Sequence, residues 1–344
     1  MNPERKHYTE EEQEKILQYL SDLKGDVIRQ FLLERNLPRS GTKPELREKI
    51  ENWLEEGDLQ YEDLVFFLDR IAPWGKQHII LYNGPDSEVR KWQDEKSVKD
   101  ILRNAKLTRY LNSKLLLMLP EKLSFSTIEY SSKRLRILAV KRREIWERAE
   151  EHDQEKRVPE GRLELRAFLL QVTRAVVVFT WDFISNNARL QITQLPSREK
   201  YEDVENELAN LMKGFLDLSR FDKLNLRPVI KNLHELEQRG SPEARSHTIA
   251  YQSAGGRKIT AESPTPEDSV LGEDRIDTAL ESISTQSVGH IGNFYWLPTS
   301  TNSNPLDREI HTIIVGNKSR INFTTPNEED DVEYVLSRVR ALSR

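Results

Sequence analysis

Up to Pro73-Trp74-Gly75 the apolar residues of this chain recur every three or four positions; beyond that point they gather in short runs closed by turn residues. A period near 3.6 buries one face of a helix, whereas short apolar runs bounded by Gly, Asn, Ser and Pro make strands. The change of period predicts a helical beginning and a body built on a sheet.

In the body, His78-Ile79-Ile80-Leu81-Tyr82 runs into Asn83-Gly84-Pro85, and Leu123 to Tyr130 turns through Ser131-Ser132-Lys133 into Leu135 to Val140. Arg162 to Val172 and Arg174 to Trp181 are further β-rich runs, and Asn186-Asn187 turns into Arg189 to Leu195. Phe294 to Leu297 comes next, then Thr312 to Val315 and Arg320 to Phe323 around Gly316-Asn317. Strands joined by turns this tight pair antiparallel. Helical spacing returns in Val204 to Leu216, in Leu226 to Leu233, and in Val332 to Leu342 behind the cap Thr325-Pro326-Asn327-Glu328. The expected fold is α+β: a small N-terminal helical domain, residues 1–75, then a larger mixed domain with a mainly antiparallel sheet. Residues 76–250 form its basic bulk. Residues 251–290, rich in Ser, Thr, Pro and acids, are expected to be a partly disordered loop, and 291–344 a C-terminal hairpin and helix packed on the domain.

Within the helical part, Val27, Ile28, Phe31 and Leu32 share one face, and Asn36 suits the left-handed position past a helix end. Leu37-Pro38-Arg39-Ser40-Gly41 cannot continue the helix and reads as a short extended link. Thr42-Lys43-Pro44-Glu45 is a capping box with proline in the first turn; Leu46, Ile50, Trp53 and Leu54 give the second helix its buried face. Cations dominate the remainder: Lys24, Arg29, Arg35, Arg39, Lys43, Arg47 and Lys49 against Asp26, Glu34, Glu45 and Glu48. Lys43 and Arg47 share a face near a helix N-terminus, where free N–H groups favour a phosphate. A solvated helical hairpin serving protein contacts would use the same residues.

The run from Leu23 to Ile50 resembles the SAP motif, a helix–extended–helix unit whose members usually bind DNA. The resemblance implies that the Gly-x-Lys turn and the start of the second helix touch DNA: here Gly41, Lys43 and Arg47, with Arg39 beside them. The order of parts along the whole chain also resembles in layout the centromere protein N family of kinetochore subunits, with Gly57-Asp58-Leu59 and Pro85-Asp86-Ser87 contributing. That likeness transfers no individual residue. It implies a heteromeric protein partner on the C-terminal hairpin and helix.

The chain carries 52 Lys and Arg against 57 Asp and Glu, yet the charges are segregated. From Ile101 to Arg143 eleven bases, Lys114 among them, stand against Glu121 and Glu129; from Glu144 to Glu160 seven acids stand against three bases. Segregation of this kind can sustain a local positive field in an acidic protein. Arg134, Arg136, Arg142 and Arg143 are the body's candidate nucleic-acid contacts, with Trp146 as an aromatic that could stack on bases. The alternative is that these charges scatter over several faces once folded.

Zero cysteines exclude disulfides and thiol chemistry. No run approaches the roughly 18 apolar residues of a membrane span, and Met1 to Lys6 opens no signal peptide, which fits an intracellular protein of the cytoplasm, nucleus or nucleoid. His7, His78, His152, His234, His247, His290 and His311 stand singly, without metal-site spacing. Pro85-Asp86 with Asp94-Glu95-Lys96 matches the Pro-Asp…Asp-x-Lys pattern of metal-dependent nucleases, but that chemistry needs adjoining strands and these residues read as polar helix or loop. No catalytic residue, metal site or cofactor is expected. The reading is a non-enzymatic DNA-binding protein, with RNA as second candidate. An architectural subunit of a chromosome-associated complex and a nuclease or other enzyme of a nucleic-acid-processing or defence system are the alternatives.

Overall fold

The computed structural model describes residues 8–23, 25–112, 120–196, 199–299 and 306–344. Residues 1–6, His7, Lys24 and Lys114, named above, lie outside them. The described chain divides into two compact units, one up to Pro73 and the other from Trp74 onward.

The first unit is helical: α1 (Glu10–Asp22), α2 (Gly25–Glu34), α3 (Lys43–Glu56) and α4 (Tyr61–Ile71). Local rules set the ends. Thr9 with Glu12 and Thr42 with Glu45 form capping boxes for α1 and α3. Asn36 (φ 56°) and Gly57 (φ 85°) adopt the left-handed backbone that ends α2 and α3. Ile16, Leu20, Ile28, Phe31, Leu46, Ile50, Leu64 and Phe67 close one core, with the Phe31 and Phe67 rings 4.7 Å apart. Burying each such side chain stabilises by roughly 1.5–3 kcal/mol.

The second unit begins with β1 (Gln77–Asn83), α5 (Asp86–Gln93) and α6 (Glu95–Asn104). β2 (Ser124–Ser131) and β3 (Arg134–Arg148) follow, then a separate small hairpin of β4 (Gln154–Val158) and β5 (Gly161–Leu165). Next come β6 (Phe168–Asp182), β7 (Asn187–Thr193), α7 (Tyr201–Met212), the short β8 (Asp222–Lys223) and α8 (Arg227–Gln238). β9 (Ala244–Ser253), β10 (Lys258–Glu262), α9 (Asp274–Gln286) and β11 (Ser287–Trp296) lead to β12 (Ile310–Val315), β13 (Arg320–Phe323) and α10 (Glu329–Leu342).

Among the described residues eleven of these strands form one sheet, ordered β10-β9-β11-β12-β13-β1-β7-β6-β3-β2, with β8 beside the end of β1. Neighbouring strands pair antiparallel. β1 holds the middle, and its residues 77–82 are all buried. Ile79 and Leu81 enter a core shared with α8, α9 and α10; Ile80 and Tyr82 enter another shared with α5, α6 and α7. A strand covered on both faces reads as a continuous apolar run, as this one does. α8 sits directly on β11 because Gly289 has no side chain: a Cβ there would lie 2.6 Å from the Arg227 carbonyl and 2.7 Å from Ile230.

Residues 251–290 differ from expectation. Divisions at 250/251 and 290/291 would cut β9 and β11, and the span between holds β10 and α9. β10 is polar because it is an edge strand, bonded to β9 on one side only and mostly exposed. The loop after it is held as well: the Val270 N–H donates to Ser246 O at 2.9 Å and Ser269 Oγ to Glu237 at 2.7 Å. The C-terminal hairpin, β12 with β13, is an interior part of the sheet with both edges paired, so a partner cannot add a strand there. Among the described residues no helix is long and apolar enough to cross a membrane.

Candidate nucleic-acid interface

The link between α2 and α3 is pinned from both helices. Arg29 donates to the Gly41 carbonyl at 3.0 Å while pairing with Asp26 at 2.8 Å, and Lys49 Nζ donates to Ser40 O at 2.8 Å. Gly41 has φ 127°, and a Cβ there would come within 2.8 Å of the Glu45 carboxylate. It is needed to let the capping box close. The Thr42 N–H donates to Glu45 at 2.7 Å, and that bond holds the Glu45 carboxyl below its usual range. This corrects the sequence argument for phosphate at the helix amides. Pro44 has no N–H, and the cap already places a carboxylate in the first turn. What the turn offers instead is side chains. Arg39 and Lys43 are exposed and make no ion pair with a described residue; Arg47 is exposed and pairs with Glu51 at 2.7 Å.

The body's four arginines do not form one patch. Along β3, Leu135, Ile137 and Ala139 enter the core with α7, so Arg143 and Lys141 lie on that side and Arg134, Arg136 and Arg142 on the other. The Arg143 side chain is only 9 % exposed, donates to Gln194 O at 3.1 Å and lies 3.6 Å from Glu199; burial lowers its pKa. It is a packing residue, not a phosphate contact. Lys141 pairs with Glu207 of α7 at 3.1 Å, Arg136 with Glu129 at 3.3 Å, and Arg142 with Glu144 at 2.6 Å. Arg134 alone of the four is exposed without an ion pair to a described residue. The tract is basic in sequence, and half of its described bases, Arg103, Arg136, Lys141, Arg142 and Arg143, are paired with acids in space.

A longer feature lies beyond these arginines. β3 and β6 pair from Arg134↔Asp182 to Arg148↔Phe168, whereas β2 reaches only Val140 and β7 only Val177. The rest is a two-stranded arm. Trp146 there is 63 % exposed and stands opposite Leu170; Phe168 and Leu169 are 53 % and 59 % exposed. Arg142, Arg148 and Trp146 share one face of it. The acids that follow bond to nearby arginines, Asp153 to Arg148, Glu155 to Arg162 and Glu164 to Arg166. The apolar run legible in sequence stops at Val140, where charge interrupts it, while the strand continues to Arg148. The uninterrupted β-rich stretch Ala175 to Trp181 was the available sign of a long partner. Trp181 and Trp296 are buried, as their apolar surroundings predict.

No family model matches the chain, and no curated protein sequence matches it. Its surfaces have to be judged by their own chemistry. Asp94 caps α6, accepting from the Ser97 N–H at 2.8 Å, and its hydrogen bonds with Ser97 lower its pKa. Asp86 begins α5 and accepts from Asn186 at 2.7 Å. Neither sits on a strand, which agrees with the polar helix read from sequence. Among the described residues no three His, Asp or Glu side chains are grouped to hold a metal ion. His234 hydrogen-bonds Tyr251 at 2.6 Å, and His78 stacks on Tyr201 at 3.8 Å.

Proposed function

We propose that this chain is a non-enzymatic DNA-binding protein of the cell interior whose SAP-like head makes sequence-independent phosphate contacts. One observation carries the reading: Arg39 before the Thr42–Glu45 cap and Lys43 within it are exposed and make no ion pair with a described residue, while Arg29 and Lys49 hold the link. Arg47 lies one turn further along the same helix and extends the strip. On the body, Arg134 and the Arg142–Trp146 face of the arm add a second, weaker footprint. Phosphates carry no base identity, so such contacts set affinity and not sequence choice.

Binding of labelled duplex DNA, single-stranded DNA and RNA, each titrated at several salt concentrations, tests this. Each neutralised phosphate adds close to one unit to the slope of log K against log salt. Lys43→Ala with Arg47→Ala should lower affinity on every sequence and flatten that slope by about two units. Unchanged affinity and slope would remove the head from DNA binding.

The exposed Trp146, Phe168 and Leu169 favour a second reading, an architectural subunit that docks a protein partner through the arm. Co-purification of a partner that is lost on Trp146→Ser would support it.

A further inference from the structure

Beside the central strand a cleft of about 250 Å³ opens between the start of α7, β8 and the turn from β12 into β13. Three cations line it, Lys223, Lys318 and Arg320, with two carboxylates, Glu202 and Glu205. The carboxylates are engaged. Lys318 Nζ donates to Glu202 at 3.0 Å, and both Lys223 Nζ and the Tyr82 hydroxyl donate to Glu205 at 2.8 Å.

Arg320 is not engaged in this way. It makes no ion pair with a described residue, and its buried Nε donates to no acceptor among the described residues. Its guanidinium lies 4.5 Å from the centre of the Tyr201 ring. That ring is fixed in turn: it stacks on His78 at 3.8 Å, and its hydroxyl accepts from the Leu195 N–H at 3.0 Å. A guanidinium always carries its charge, offers five donors in a planar fork and accepts nothing. Buried donors in folded proteins are nearly always matched. Here a preorganised cation, flanked by two ammonium groups, has no ion-pair partner among the described residues.

We propose that this cleft binds a phosphate monoester, with Arg320 as its anchor and Lys318 and Lys223 as flanking charges. A planar fork meeting two oxygens of a tetrahedral oxyanion is the strongest pairing these groups can make. The five ionised side chains sum to one net positive charge, which favours an anion over a neutral ligand. The site is separate from the phosphate contacts proposed for the head and does not depend on them. The monoester can be a free small molecule or the terminal phosphate of a nucleic-acid strand.

The test uses the full chain and calorimetric titration with inorganic phosphate, adenosine monophosphate, and one oligonucleotide carrying either a 5′-phosphate or a 5′-hydroxyl. Phosphate should bind saturably in the millimolar range. Arg320→Gln should weaken it by about tenfold or more, as loss of a charged hydrogen bond does. Lys318→Ala, at an exposed position that does not threaten folding, should weaken it several-fold. Preference for the 5′-phosphorylated strand assigns the ligand to nucleic acid; tighter binding of the mononucleotide without that preference assigns it to a free ester. No saturation at tens of millimolar phosphate, or an affinity unmoved by Lys318→Ala and by folded Arg320→Gln, would overturn the proposal.

Discussion

His78 offers the sharpest test of the central strand. It is 8 % exposed. Burial, and after it the Arg320 guanidinium, push its pKa from the ordinary 6.5 down to about 3. The unfolded chain therefore takes up a proton at a higher pH than the folded one. Stability from this group is complete above about pH 6.5 and is lost as pH falls toward about 3. At pH 4.5 the unfolded imidazole is charged and the folded one is not, which amounts to roughly two units at 1.36 kcal/mol each, or about 2.7 kcal/mol. His78→Phe keeps a ring against Tyr201 and cannot titrate. Urea unfolding of both proteins at pH 7.5 and 4.5, followed by tryptophan fluorescence in a Trp53→Phe background, reads the sheet-bearing unit alone. The native histidine should lose about 2.7 kcal/mol more between the two pH values than the variant, with the denaturant slope unchanged. Burial also lowers His234, His290 and His311, but they titrate in both proteins and cancel. Equal losses would refute the assignment of a buried, neutral imidazole to β1.

Gly289→Ala should destabilise by about 1–3 kcal/mol through overpacking against α8, whereas Gly255→Ala, whose nearest neighbour would be Ser253 Oγ at 3.9 Å, should change the melting temperature little. Arg143→Met should lower stability by about 1–3 kcal/mol in chemical denaturation and leave DNA affinity intact; Arg134→Glu should do the reverse in the binding titration. Asp94→Ala should cost about 1 kcal/mol through loss of the α6 cap, and plasmid incubated with Mg²⁺ or Mn²⁺ should stay intact. Metal-dependent cleavage abolished by Asp86→Ala or Asp94→Ala would restore the nuclease alternative.

The parts legible in sequence were those governed by neighbours. Asn36, Gly41 and Thr42-Lys43-Pro44-Glu45 each obey a rule spanning a few residues, and the helix–link–helix follows from them. The strands of the body likewise announced themselves by apolar runs and tight turns. Their order did not, because β13 reaches β1 from the far end of the chain. Composition misjudged β10, since an edge strand needs backbone partners on one side and no apolar face. Among the arginines, Arg134 and Arg143 share one strand, and only the packing of α7 and Glu199 decides that the second is buried. The cleft was invisible for the same reason. Tyr201, Lys223 and Arg320 come from three separate segments, with no local spacing to connect them.

The place of β1 has a consequence for how the chain is made. Ile80 pairs with Leu190 on one side and with Arg320 on the other, 240 positions later. At a synthesis rate of about 5–20 residues per second, the ribosome needs roughly 12–48 s to supply that second partner. For that interval a strand whose residues 77–82 all end up buried keeps one bare backbone edge, and the C-terminal helix that packs against its Ile79 and Leu81 face does not yet exist. Nascent chains should therefore be prone to misassociation until Arg320 has been made, and a frameshift that removes β13 should leave that edge of β1 bare.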